Sequence, residues 1–405
     1  MTQTETSWQA AIRAALERRV SDGELAGALA VVWHDGEVAL RAAAGDRDIA
    51  RGIAMRGDAI FQVASMTKPI VSVAALQLVD EGAIRLDDPI AQWLPEFANP
   101  RVLDQPAGPL EHTHPAPRPI TVDDLLTHRA GFGYAFASSG PIALALERAL
   151  GNILHSRLNP DEWVRALGGL PLLSDPGARF VYGHSTEVLG CLVARIDGAT
   201  LGESLKRRVL GPLGMRDTAF YVPPDKRARL AHMYRRSHGS FEDVTDAPTA
   251  PPLFEAGGGG LYSTADDYLT FARVLLGKGE VNGVRLLSPA TCDRMTRNQL
   301  TAHQRRLEAL SQPDFFVHSG FGYGVQVVME PSPPLFAGAG SLSWGGIFGT
   351  GWRADPLNKL ITMFFTQDFA DTSSGPERSD PAQVTTAARL QSEVDQLAYG
   401  GLAQR

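Results

Sequence analysis

The stretch that most constrains how this chain folds is residues 61–82, FQVASMTKPIVSVAALQLVDEG. From Pro69 to Val79 it is apolar nearly all round a helix, until Asp80, Glu81 and Gly82 stop it; such a helix belongs in the middle of a domain. Pro69 is tolerated only in the first turn, so the helix begins near Ala64 or Ser65. Ser65 and Lys68, three residues apart, then share a face beside backbone N–H groups that favour developing negative charge. A serine there is either an ordinary helix cap or an activated nucleophile. Of the five lysines, Lys68, Lys206, Lys226, Lys278 and Lys359, only Lys68 has a serine three positions before it.

With 405 residues the chain can bury a sizeable core, and 44% hydrophobic with 20% charged residues is ordinary for a globular protein. A net charge of −7 and no basic stripe argue against nucleic acid or an anionic membrane surface as partner. Two cysteines, Cys191 and Cys292, in apolar or helical contexts suggest neither a disulfide framework nor a cysteine-based zinc site. The N-terminal residues lack the apolar core of a signal peptide, and no stretch reaches the ~18 apolar residues of a membrane span. A cytoplasmic location is therefore expected.

Residues 6–22 read as an amphipathic helix through Trp8, Ile12, Leu16 and Val20. Residues 26–45 give two strands around Asp35-Gly36, a hairpin signal. A proline-rich region follows Gly82, until Thr121 and Asp124 form a capping-box-like start. Short helices are expected over 141–150, 160–167, 185–196 and 201–210. The glycine run 257–260 leads to a helix over 265–276, capped by Ser263 or Thr264. Residues 321–329, 341–353 and 360–369 look like strands, and 382–397 like a closing helix. The expected fold is α+β: an antiparallel sheet built from the two ends of the chain (1–85 and 251–405), flanked by helices, with a mostly helical domain (86–250) inserted between them.

A serine–lysine pair needs a second proton carrier. Tyr182, on the loop after the Pro176-Gly177 turn and before a helix at Ser185, is the candidate, although the simpler reading is packing beside Phe180 and Val181. An oxyanion hole needs backbone N–H groups on a closely approaching chain, for which the glycine-rich stretch 338–351 is the best source; a β-bulge without ligand is the alternative. The run Gly257 to Gly260 lacks the ending of a phosphate loop and reads as a turn before a helix cap. His112 and His114 lie in a proline-rich loop without a third ligand, and Ser343 misses the nucleophile elbow because position 341 is serine. No metal and no cofactor are expected.

Together these pieces resemble the serine beta-lactamase-like superfamily, in particular the class C-like branch with the family VIII carboxylesterases. The resemblance runs from about Leu25 to Phe369. It is carried by Phe61-Gln-Val-Ala-Ser-Met-Thr-Lys68, Leu125-Leu-Thr-His-Arg-Ala-Gly131, Pro176-Gly177 with Tyr182, Pro212-Leu-Gly-Met-Arg-Asp-Thr218, Gly258-Gly-Gly-Leu-Tyr-Ser-Thr264 and Trp344-Gly-Gly346. It implies a beta-lactamase/penicillin-binding-protein-like fold, Ser65 as the acylated nucleophile, and Lys68 and Tyr182 as managers of its proton. The implied oxyanion hole is the backbone N–H of Ser65 and of Ile347.

Two departures narrow the expectation. Where the branch usually has Tyr-x-Asn this chain has Tyr182-Gly-His184, and where it has Lys-Thr-Gly or His-x-Gly this chain has Trp344-Gly345-Gly346. An aromatic wall in place of a cation favours apolar esters over carboxylate-bearing lactams and peptides. The expected activity is a serine carboxylesterase on short-chain or bulky apolar esters, with no nucleic acid or membrane partner. Trp344, Gly345, Gly346, Tyr134 and His184 are the expected substrate contacts, with Phe316 as a further pocket wall. A beta-lactamase, a D-amino-acid amidase or peptidase, an acyltransferase, or an inactive binding protein on this fold are the alternatives.

Overall fold

The computed structural model describes residues 6–154, 156–237, 240–310, 312, 315–331, 337–369 and 386–402. The first amphipathic segment forms α1 (Ser7–Ser21), which buries Trp8, Ile12, Ala15 and Leu16. Strands β1 (Gly27–His34) and β2 (Glu37–Asp48) follow, turning through Asp35 and Gly36 at φ 44° and 103°. Both values lie in the left-handed region that a two-residue hairpin turn demands. After the short β3 (Ile53–Ala54) comes the central helix α2 (Thr67–Asp80), in which every residue from Thr67 to Leu76 is buried, and Leu78 as well.

The middle of the chain is mostly helical. Helices Val122–Leu126, Pro141–Leu150 and Pro160–Gly168 precede α3 (Ser185–Asp197), and the first of these starts with the expected reciprocal cap between Thr121 and Asp124. The expected helix over 201–210 is α-helical only for Leu201–Leu205 and continues as a π turn over Lys206–Leu210. Thr264 caps α4 (Ala265–Leu276) by accepting from the Asp267 N–H.

Two expected strands are hairpins instead. The segment 321–329 divides into β4 (Ser319–Phe321) and β5 (Gln326–Val328), and 341–353 into β6 (Leu342–Gly346) and β7 (Thr350–Asp355). Gly324 and Gly349, both at φ 79°, reverse the chain where alternation alone reads as continuous strand. Then β8 (Leu360–Thr366) ends, and Asp368 and Phe369 leave its sheet to pair with Tyr234 and Arg235. The closing helix α5 is Thr386–Leu402; residues 382–385 of the expected helix lie outside the described residues.

One eight-stranded antiparallel sheet, in the order β4-β5-β6-β7-β8-β1-β2-β3, joins the two ends of the chain where β8 pairs with β1. The period of two along β1 and β8 sends side chains to two separate cores. Ala28, Ala30 and Val32 meet Leu360 and Phe364 beneath α1 and α5. Leu29, Val31 and Trp33 meet Ile361, Met363 and Phe365 on the opposite face, where α2 and α4 pack. That second core is continuous with Leu125, Trp163, Leu189 and Leu192 of the helical middle, so α2 is enclosed from both sides. Each fully buried Leu, Ile or Val there contributes ~1.5–3 kcal/mol of transfer free energy. No helix among the described residues is long and apolar enough to cross a membrane.

Candidate active site

Ser65 occupies a single 3-10 turn, Ala64–Met66, that runs directly into α2. Ala64 holds φ at 45°, a left-handed value that costs free energy for a residue with a Cβ, so the turn must be held from outside. Neighbouring segments do this. The Val63 N–H donates to the Leu261 carbonyl at 3.0 Å, the Leu261 N–H to Thr67 Oγ1 at 3.1 Å, and the Tyr268 hydroxyl on α4 to the Met66 carbonyl at 2.9 Å.

Lys68 is 1% exposed. Its Nζ donates to Ser65 Oγ at 3.1 Å and to the Gly258 carbonyl at 2.6 Å, and lies 4.7 Å from the centre of the Tyr182 ring. The Tyr182 hydroxyl donates to Ser65 Oγ at 2.8 Å. The serine oxygen therefore accepts from two groups that can each carry a proton, one on α2 and one 117 residues away in sequence.

Tyr182 is held by the segment that precedes Tyr134. The Val181 N–H donates to the His128 carbonyl at 2.7 Å, and a Cβ at Gly183 would lie 2.6 Å from the Gly133 Cα, so only glycine fits behind the tyrosine. Its ring packs against His128, Tyr134 and Trp344 at centroid distances of 5.0, 5.4 and 5.6 Å. The packing expected of this tyrosine and its contact with Ser65 thus occur together.

Strand β6 brings the third motif to the serine turn. At Gly346 a Cβ would meet the Val63 carbonyl at 2.5 Å and Ala64 Cβ at 3.2 Å, which makes glycine necessary. Gly345 is exposed, and Ile347, which opens the turn to β7, is 51% exposed. Among the described residues neither the Ile347 N–H nor the Ser65 N–H has a hydrogen-bond acceptor. Unspent amides on two touching turns are what binding an oxyanion requires.

The expected substrate contacts differ in how open they are: Gly345 is exposed and Gly346 abuts the serine turn, whereas the others are buried. Trp344 is 8% exposed and its ring lies 5.2 Å from Phe321 as well as beside Tyr182, so it supports the tyrosine more than it offers an open wall. Phe316 is fully buried between Phe180 and Phe315 and is a core residue. Tyr134 and His184 are buried too: the Tyr134 hydroxyl donates to both oxygens of Glu187 at 2.9 and 3.0 Å, and His184 packs on Tyr134 and Trp163. Their access to a small molecule is a recess of about 280 Å³ shared with Phe136, Leu144, Leu150 and Ile153. A larger cavity of about 1270 Å³, beside Val164, Leu201, Met215 and Phe254, includes neither Ser65, Lys68 nor Tyr182.

The layer beneath is buried and titratable. Burial raises the pKa of Glu187, opposed by Lys68 and by the Tyr134 hydroxyl. Burial first, and the nearby Lys68 second, hold His128 well below the usual histidine range and bring His184 down to about 3. A histidine depressed in this way stays neutral in the fold while the unfolded chain takes up a proton below about pH 6.5, so acid favours unfolding. His184 is thereby expected to cost the fold on the order of a few kcal/mol as pH drops from about 6.5 towards 3. Calorimetric melting between about pH 7.5 and 4.5 should show a decline that is flatter in His184→Phe; an equally steep curve would remove His184 as the cause.

Sequence reasoning missed three members of this site. Glu187 reads as an ordinary acid in the first turn of a helix, and His128 as part of a motif without a role. The glycine run, read as a turn before a cap, supplies the carbonyl that accepts from Lys68. Its only signal was four successive glycines, more than a turn needs. The two loop histidines stand apart: His114 is bonded to Asp104 and Asp175, and among the described residues no cluster suited to a metal occurs.

A family model described as Beta-lactamase matches residues 12–386. Protein Rv1367c of Mycobacterium tuberculosis is 46% identical over 364 residues, covering 88% of this chain and 89% of that one. Esterase EstB of Burkholderia gladioli is 31% identical over 394 residues, covering 91% and 93%. Among solved structures, EstCE1, a hydrolase with promiscuous acyltransferase activity, superposes with a TM-score of 0.80 at 24% identity over 97% of this chain and 99% of that one, a likeness of fold.

Proposed function

Since the chain belongs to the beta-lactamase family and is a serine hydrolase, we propose that it is a carboxylesterase that cleaves short-chain or apolar esters through an acyl-enzyme on Ser65. The observation that carries this reading is the pair of hydrogen bonds, from Lys68 Nζ and the Tyr182 hydroxyl, that converge on Ser65 Oγ. Ser65 Oγ attacks the ester carbonyl and its proton passes to Lys68. The N–H groups of Ser65 and Ile347 hold the oxyanion, and Tyr182 relays the proton to the leaving alcohol. Water then enters by the same route in reverse, frees the acid and restores the serine.

Several features support an apolar ester. Trp344 stands where related enzymes carry a cation, and Ile347 and Phe136 expose 51% and 58% of their surface near the serine turn and Tyr134. EstB bears the name of an esterase. The test is a panel of p-nitrophenyl esters of rising chain length run beside a chromogenic cephalosporin and a D-alanyl anilide, with fluorophosphonate labelling mapped by mass spectrometry. Ester turnover with the label on Ser65 is the expected result. Lactam or anilide rates equal to the ester rates would overturn the ester assignment, and a label elsewhere would overturn the site.

Acyl transfer to an alcohol is the second reading, supported by the promiscuous acyltransferase activity of EstCE1. An added alcohol acceptor that diverts product from free acid to a new ester would favour it.

A further inference from the structure

Glu187 plays no part in the scheme above, yet it sits in the centre of the layer behind Lys68. Its side chain has no exposed surface, and both oxygens accept from the Tyr134 hydroxyl at 2.9 and 3.0 Å. Tyr134 in turn presents its ring to Lys68 Nζ, 5.3 Å from the centroid. On the other side the carboxyl lies against Gly258: a Cβ there would be 2.5 Å from Glu187 Cδ, so only glycine admits the carboxyl. The carbonyl of that same Gly258 is the acceptor that Lys68 Nζ binds at 2.6 Å. Glu187 thus touches two of the groups that fix the lysine, and forms no hydrogen bond to Ser65.

A buried carboxyl is costly unless something nearby uses its charge. The groups facing Lys68 are Ser65 from its own turn, Tyr182, Tyr134, the Gly258 carbonyl and, further off, His128 and His184. Those facing Glu187 are Tyr134, Lys68, His184 with Nδ1 at 3.9 Å from Oε2, and the Cys191 thiol one turn along α3. Glu187 is the one carboxyl in this set. Both histidines are held neutral by burial, which leaves Lys68, once it has taken the serine proton, as the cation that the carboxylate faces.

We infer that Glu187 is a positioning residue for the proton relay: through Tyr134 and the Gly258 peptide it holds Lys68 Nζ against Ser65, and as a carboxylate it steadies the ammonium formed when Lys68 takes the serine proton. This rests on the role proposed for Lys68. The Ser65 O–H bond breaks as the serine oxygen bonds to the substrate carbon, its proton goes to Lys68 Nζ, and Glu187 neither gains nor loses a proton.

Glu187→Gln keeps the shape and an acceptor for the Tyr134 hydroxyl while deleting the charge. We expect kcat to fall about tenfold or more with KM within about twofold, and the acid limb of the kcat/KM profile to move down by about one pH unit, because the attraction favouring the ammonium is gone. Tyr134→Phe should lower kcat in the same direction, and the double variant should lose little beyond the larger single loss, since both act on one lysine. An unchanged profile and kcat with only a lower melting temperature would overturn the inference and make Glu187 a packing residue. Should Glu187→Gln fail to fold, kcat of Tyr134→Phe decides: a fall with KM within about twofold supports the inference, and an unchanged kcat overturns it. Fluorophosphonate labelling of the wild-type enzyme tests the Ser65 reading independently, so the two ideas fail separately.

Discussion

Hydrolysis of a p-nitrophenyl ester by the Ser65→Ala variant is expected to fall by at least about 10⁴-fold while the melting temperature stays within about 2 °C of wild type. Only one half-buried oxygen is deleted. Lys68 Nζ keeps its bond to the Gly258 carbonyl, and the turn around Ala64 is held by Leu261, Thr67 and Tyr268 rather than by the serine hydroxyl. The fold therefore has little reason to change, and a loss of rate reports chemistry. Initial rates, thermal melting and fluorophosphonate labelling on the same preparation suffice. Residual ester turnover near the wild-type rate would sink the assignment of Ser65.

Tyr182→Phe is expected to lower kcat by about 10²–10⁴-fold with little change in KM. The ring would stay in its bed between His128, Tyr134 and Trp344, so packing survives. What goes is the hydroxyl 2.8 Å from Ser65 Oγ, the group proposed to pass the proton to the leaving alcohol. The substitution separates the two readings open for this tyrosine from its sequence context. Full activity in the phenylalanine variant would make it a packing residue after all.

The parts of the site that could be read from the sequence are those carried by local geometry. Ser65 and Lys68 are three residues apart on a helix whose apolar run and Pro69 mark its start, and their side chains meet at 3.1 Å. Asp35-Gly36 announced its hairpin for an equally local reason, the left-handed φ of both residues. Local rules also misled where they were incomplete. The β6–β7 hairpin read as one strand because Gly349 reverses the chain within a pattern that still alternates, and the depth at which the Trp344 ring is buried has no record in the sequence.

What tertiary structure alone decided is the company that the serine keeps. Tyr182 reaches Ser65 across 117 positions, Gly258 accepts from Lys68 across 190, and Tyr134 meets Glu187 across 53. None of these pairs has a spacing rule, because each depends on α2 being enclosed by the sheet on one side and by the helical middle of the chain on the other. The sequence by itself determined a serine and a lysine on one face of a buried helix. The fold decided which hydroxyl, carbonyl and carboxyl surround them, since only packing brings distant residues within hydrogen-bond reach and removes the water that would screen their charges.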